Sequence, residues 1–311
     1  MSEHHHHAPV QYGKVFAIGI ALNLIFVGVE AFYGWQADSL ALLADAGHNL
    51  SDVGGLLLAW VAYGAAKLKP NATHTFGWRK GSILASFVNA IILLVAMGSL
   101  GWEAIGRLHS PSIVDSKVVI IVAAIGIVIN SITAWLFVSG SKKDLNIRGA
   151  FIHMAADAIV SLGVVIAGIL SLWKGWSWVD PVTSLLIALV IIIGTWSLFR
   201  QSLHLLFDGV PTGIELKSVS DSLKNLPGVV GLHDLHIWAI STTQVALSVH
   251  LVMEDSNKSN DSILKKAIDL LDKKFHIEHA TIQLESPVYA QTCELNYSEI
   301  KINHGLASKS K

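Results

Sequence analysis

The feature that most constrains this chain is a series of six apolar runs, at roughly 15–35, 40–65, 83–108, 118–138, 150–172 and 179–199. Each is about the 20 residues that a helix needs to cross the hydrocarbon core of a bilayer. Lipid offers no partner to backbone N–H and C=O groups, so a spanning run of this length must satisfy them internally, as a helix does. The composition agrees, with 52% hydrophobic and only 14% charged residues, where a soluble domain carries about a quarter charged. The pattern predicts a six-helix transmembrane bundle over residues 14–207, with the lipid bilayer as its first partner.

From about Asp208 the pattern changes to short alternating segments with charges at soluble frequency. Gly213 to Leu226 has helical apolar spacing, "VVGLHDLHIWAI" and "TQVALSVHLVM" predict two strands, Ser262 to Phe275 a second helix and "HATIQLE" a third strand. This predicts a compact α+β domain, αββαβ, over residues 208–290, with two helices on one face of a small sheet. After Pro287 the chain loses that periodicity, and residues 291–311 are expected to form a flexible tail. Residues 1–13 form a His-bearing N-terminal tail, whose His4 to His7 read either as metal-gathering residues or as an appended tag.

Orientation follows from lysine and arginine, which cytoplasmic flanks retain. With the N-terminus inside, the inner flanks carry Lys14, Lys67, Lys69, Arg79, Lys80, Lys142, Lys143, Arg148 and Arg200, and the outer flanks only Arg107, Lys117 and Lys174. Both termini are then cytoplasmic, and the C-terminal domain is cytosolic. The N-terminus lacks the basic, apolar and small-residue sequence of a cleavable signal peptide. A net charge of −1 leaves no basic field for a nucleic-acid partner, and the single Cys293 excludes an intrachain disulfide.

Against this apolar background the polar residues stand out. A carboxylate at mid-membrane costs about 2.5–3.5 kcal/mol on insertion scales, so such groups face a partner, a cavity or an ion. In "LLADAGHNLSD" Asp45, His48 and Asp52 fall on one helical face, and in the fifth run "HMAAD" sets His153 and Asp157 one turn apart. Two imidazoles and two carboxylates from facing helices can close a tetrahedral site for Zn²⁺, whereas Mg²⁺ and Ca²⁺ want more oxygens. The other reading of each pair is an interhelical hydrogen-bond clamp. Two matching H-x-x-x-D pairs favour the metal.

These residues carry a resemblance. "DSLALLADAGHNLSD", "HTFGWRK", "NIRGAFIHMAADAIVSLGVV", "HDLHIW" and "TIQLE" resemble the signatures of the cation diffusion facilitators, in particular their bacterial zinc-efflux branch, over about Lys14 to Glu285. The first motif departs from the family pattern only in beginning with Asp38 where that pattern has Gly. The resemblance implies six transmembrane helices, a metallochaperone-like cytosolic domain, a homodimer in the inner membrane, and export of Zn²⁺, with Cd²⁺ or Co²⁺ as further substrates, in exchange for protons. It implies His48, Asp52, His153 and Asp157 as the transport site, with His48 setting the metal preference. Asp45 is expected either to line the access path or to hydrogen-bond within the bundle, the second being favoured.

The resemblance also marks His233, His250 and Glu285 as zinc ligands of the cytosolic domain. His236, His279 and Cys293 are further candidates, and Gln283 stands where one bacterial pattern has a histidine. The connection "KLKPNATHTFGWRKG" offers only His74, a poor metal site. Lys80 matches a basic residue that pairs with an acid after the sixth span, here Asp208; otherwise it simply answers the positive-inside rule. Asn23, Glu30, Asn89, Glu103 and Asn130 are expected either to wet a cytoplasmic cavity or to hold helices together, the second being favoured for the asparagines; the other reading of Glu30 and Glu103 is a place near the outer interface, where a carboxylate costs little.

A proton-coupled divalent-metal antiporter explains all these features together. A metalloenzyme would need an open coordination position and a base, and no H-E-x-x-H is present. A membrane metal sensor would share the cytosolic ligands but would not need four ligands inside the spans.

Overall fold

The structure is a computed structural model describing residues 13–66, 68–110, 112–141, 145–254 and 260–290. The expectations for His4 to His7, Cys293 and the tail at 291–311 fall outside the described residues.

Six long helices come first: α1 (Gly13–Gln36), α2 (Leu40–Ala66), α3 (Gly81–His109), α4 (Ser116–Ser141), α5 (Leu145–Lys174) and α6 (Val179–Leu206). Among the described residues four stretches are long and apolar enough to cross a membrane, Gly81–His109, Ser116–Trp135, Phe151–Lys174 and Val179–Leu206, against the six runs expected. The first half of α2 carries Asp45, His48, Asn49 and Asp52, and these lower its hydropathy. Large apolar side chains lie exposed along the helices, Ile25, Leu57, Val95, Ile159 and Ile193 among them. Such outward apolar surface suits lipid rather than water.

These helices form the first of two compact units, made of the described residues up to Val61 and of Ala85–Arg200. One buried cluster joins Phe26 of α1, Leu42 of α2, Val119 and Val122 of α4 and Val164 of α5. A second joins Leu93 and Met97 of α3 to Ala188 and Ile191 of α6. Small residues let backbones approach, as membrane bundles require. A Cβ on Gly126 would lie 2.7 Å from Phe26 Cζ.

The turn between α1 and α2 is held on three sides. Asp38 takes the left-handed conformation (φ 55°), which favours glycine. Arg107 holds it there, donating to the Asp38 carbonyl at 2.6 Å and to Asp38 Oδ1 at 2.7 Å. Ser39 caps α2 through Leu42 N–H, and Asp180, in the first turn of α6, accepts from Leu40 N–H at 2.9 Å and from Ser39 Oγ at 2.5 Å. The start of α2, and with it the phase of its polar face, is thereby tied to α6.

The second unit comprises Ala62–Leu84 and the described residues from Gln201 on. Its core elements are α7 (Leu216–Lys224), β1 (Val229–Ala239), β2 (Val245–Met253), α8 (Asn260–Phe275), β3 (His279–Glu285) and a short α9 (Pro287–Ala290). The αββαβ order matches the sequence reading, and α9 adds one turn where periodicity was expected to end. The sheet order is β1-β2-β3, with β1 antiparallel and β3 parallel to β2. The parallel step needs a crossover, which α8 supplies. One sheet face buries Leu247, Val249 and Leu251 against Val219 and Leu223 of α7 and Ala267 and Leu271 of α8.

The segment between α2 and α3 belongs to this unit. Lys80 Nζ donates to Asp208 Oδ1 at 2.6 Å, Thr242 N–H donates to Ser82 Oγ at 3.1 Å, and Phe76 meets His279 edge-on at 5.4 Å. Of the two readings of Lys80, the pairing with Asp208 is the one realised. His74 stacks on Trp78 at 4.2 Å.

Candidate metal centre

Period 3.6 puts His48 and Asp52 on one face of α2 and His153 and Asp157 on one face of α5, and the fold turns these faces toward each other. His48 Nε2 lies 3.6 Å from Asp52 Oδ2 and 3.7 Å from Asp157 Oδ1. His153 Nε2 lies 3.0 Å from Asp52 Oδ2 and 3.7 Å from Asp157 Oδ2. Single ligand atoms of His48, His153 and Asp157 all fall within 4.8 Å of one another; Asp52 lies outside that group of three but near both histidines. The Asp157 side chain is 3% exposed, those of Asp52 and His153 36% and 38%. No donor is aligned on Asp52 Oδ2 or Asp157 Oδ2, although both atoms are buried. A buried carboxylate oxygen without a donor is costly unless a cation or proton meets it.

The remaining polar residues of the spans sort themselves by contact. Asp45, 1% exposed, accepts from Ser161 Oγ at 3.1 Å, the hydrogen-bonding role favoured for it. Asn23 donates to Met154 Sδ, joining α1 to α5, and Asn89 accepts from Ser51, joining α2 to α3. Asn130 is buried, with no acceptor for its Nδ2. Glu103 is exposed and pairs with Arg107 at 3.1 Å, as an interfacial acid should. Glu30 does not take the interfacial position. It is 0% exposed and accepts from Asn49 Nδ2 at 3.4 Å; the fold turns it inward to the polar face of α2 instead of outward to the interface.

In the C-terminal domain the sheet register assembles the second cluster. His233 pairs directly with His250, and His250 with Gln283, which puts Glu285, two residues on, on the same face. His233 Nε2 and His250 Nδ1 each lie 2.8 Å from a Glu285 oxygen, and single atoms of the three residues fall within 4.8 Å of one another. Gln283 Nε2 donates to Glu285 Oε1 at 2.7 Å. His236 is turned to Asp234 at 2.8 Å, and His279 to Phe76, so neither joins the three.

Two family models match the chain: the cation efflux transmembrane domain over residues 16–207 and the cation efflux protein cytoplasmic domain over residues 211–287. The chain belongs to the cation efflux family. Its relatives are transporters of metal cations, not enzymes. This cation efflux protein is 35% identical over 289 residues to a cadmium, cobalt and zinc/H(+)-K(+) antiporter of Bacillus subtilis, which covers 92% of this chain and 93% of that one. It is 34% identical over 285 residues to the zinc transporter ZitB of Escherichia coli, covering 91% of this chain and 90% of that one. A solved structure described as the metal-bound C-terminal domain of the CzcD transporter is 36% identical, covers 23% of this chain and 99% of that one, and has a TM-score of 0.22.

Three features of this cation efflux protein escaped the sequence reading. Asp234 stands beside the second cluster, with Oδ2 at 3.6 Å from His250 Nε2. It sits in "HDLH" at an irregularity of β1 between His233 and His236, with φ 52°, a bulge that alternation does not foretell. Asp180 is the only acid in the first turn of α6, a position that signals helix capping but not its partner. The inward setting of Glu30 had one signal, its being the lone acid of α1.

Proposed function

We propose that this chain is a six-span, proton-coupled antiporter of the inner membrane that exports Zn²⁺, with Cd²⁺ or Co²⁺ as further substrates, from the cytoplasm, with both termini cytoplasmic. The observation that carries the reading is the convergence of His48 and Asp52 with His153 and Asp157. Ligand bonds of about 2.0–2.1 Å at tetrahedral angles separate neighbouring ligand atoms by about 3.3 Å; the four imidazole–carboxylate separations run from 3.0 to 3.7 Å, with the two histidines meeting different oxygens of Asp157. Imidazole with carboxylate suits zinc and its neighbours and gives little to Mg²⁺ or Ca²⁺.

Exchange follows from the ligands. A histidine must be neutral to bind metal and a carboxylate ionised, so protons and Zn²⁺ compete for the same atoms. Zinc arriving from the cytoplasm displaces protons from the four side chains; after zinc leaves outward, protons from outside take its place. The exposure of Asp52 and His153, against the burial of Asp157, suits a site open on one side at a time.

His233, His250 and Glu285 form the proposed zinc site of the C-terminal domain, with Asp234 beside it. The domain boundaries 1–13, 14–207, 208–290 and 291–311 belong to the same proposal, as does a homodimer joined through the C-terminal domains, which the match to a dimer-type cytoplasmic family model supports.

The test is zinc influx into proteoliposomes holding a trapped zinc indicator, under an imposed pH gradient. Gradient-dependent flux that disappears in Asp157→Ala supports the reading. A wild type that moves none of Zn²⁺, Cd²⁺ or Co²⁺, while signalling of metal persists in cells, favours a sensor instead.

A further inference from the structure

Beside the proposed transport site lies a second polar pair that it does not use. Glu30 of α1 and Asp45 of α2 are 0% and 1% exposed, and Asn49, one turn along α2 from Asp45, donates to Glu30, which brings both carboxyl groups to the same polar face of α2. Each has one oxygen satisfied, Glu30 Oε2 by Asn49 and Asp45 Oδ2 by Ser161. The other two oxygens, Glu30 Oε1 and Asp45 Oδ1, are buried and receive no donor. Two ionised carboxylates do not face each other in a dry interior; a proton between them satisfies both. Asp157 of α5 and His48 of α2 are the other charged groups that act on the pair.

The position of the pair gives it direction. At 1.5 Å per residue, Glu30 lies about 9 Å below the end of α1 at Gln36, and Asp45 about 8 Å from the start of α2 at Leu40. His48 and Asp52 lie deeper on α2, at about 12 and 18 Å from the same end. The α1–α2 turn is the outer one in the proposed orientation. The pair therefore stands between the outside and the metal ligands. On the α5 side Ser161, bonded to Asp45, is one turn from Asp157.

We propose that Glu30 and Asp45 form a relay that takes up protons from outside and hands them to the transport site after zinc has left. The proposal rests on the antiport reading above. One proton enters from the outer side to Glu30, crosses to Asp45, and passes by way of the Ser161 hydroxyl to a ligand carboxylate that zinc has vacated. No other group changes, and the relay is reset by the next outer proton. Neither residue binds the metal.

The experiment compares two fluxes in proteoliposomes of the full chain: net zinc transport driven by a pH gradient, and zinc-for-zinc isotope exchange without a gradient, which needs no net proton movement. In Glu30→Gln and Asp45→Asn the relay is broken at constant shape. Proton-driven transport should fall about tenfold or more and lose its dependence on outside pH, while exchange stays near the wild-type rate. Glu30→Asp should restore the driven flux. Parallel loss of both fluxes in both variants, or no loss of either, overturns the relay and leaves the pair a packing feature. A wild type without even zinc exchange overturns the antiport reading itself, a separate outcome.

Discussion

His153 Nε2 stands 3.0 Å from Asp52 Oδ2, an approach between α5 and α2 that leaves the Asp52 oxygen without an aligned donor. This cross-helix approach matters more than either H-x-x-x-D pair taken alone. A clamp built for stability would align its hydrogen bonds; ligand atoms turned toward a common centre need not.

Removing one ligand should therefore cost binding far more than stability. Asp157→Ala and His48→Ala should each weaken zinc binding by about a hundredfold or more, measured by titration calorimetry in detergent, with thermal unfolding of the metal-free protein little changed. Wild-type affinity should fall as pH is lowered, because protons compete for the same atoms. An affinity independent of pH would contradict the shared-ligand mechanism.

The identity of residue 48 should tune selectivity. His48→Asp replaces an imidazole with an oxygen ligand, so transport of Mn²⁺ should rise relative to Zn²⁺. Competition fluxes of the two ions in one proteoliposome preparation test this; an unchanged ratio would mean that the preference lies elsewhere.

The cluster on the sheet predicts separable stoichiometry. His233→Ala with His250→Ala in the full chain should remove zinc from the C-terminal domain while zinc at the proposed membrane site is kept. Elemental analysis after dialysis against buffered zinc would read the loss, and retention of all the metal would argue against a site there.

Asp180 should matter to the bundle although it touches no proposed ligand. Asp180→Ala leaves Leu40 N–H and Ser39 Oγ without their acceptor, at about 1–3 kcal/mol. A drop in Tm on the order of 5 °C is expected. By contrast Lys80 and Asp208 are exposed at 45% and 58%, so Lys80→Ala should cost at most about 1 kcal/mol and less as salt is raised. Thermal scans of both variants in low and high salt distinguish the two cases.

Much of this protein was legible in one dimension. Apolar runs of membrane length, a 3.6-residue period and a 2-residue period are local properties, so six helices, the αββαβ order and the two H-x-x-x-D faces could be read from residue types and spacing. What spacing cannot encode is which faces meet. His233, His250 and Glu285 come together because β2 pairs antiparallel with β1 and parallel with β3, a register set by packing on α7 and α8. Asp234 enters through a bulge, and Ser39 meets Asp180 across 141 residues. Which of its readings Glu30 takes was undecided in the sequence for the same reason. An acid's cost in the membrane depends on what faces it, and only the tertiary structure set Asn49 opposite its carboxylate.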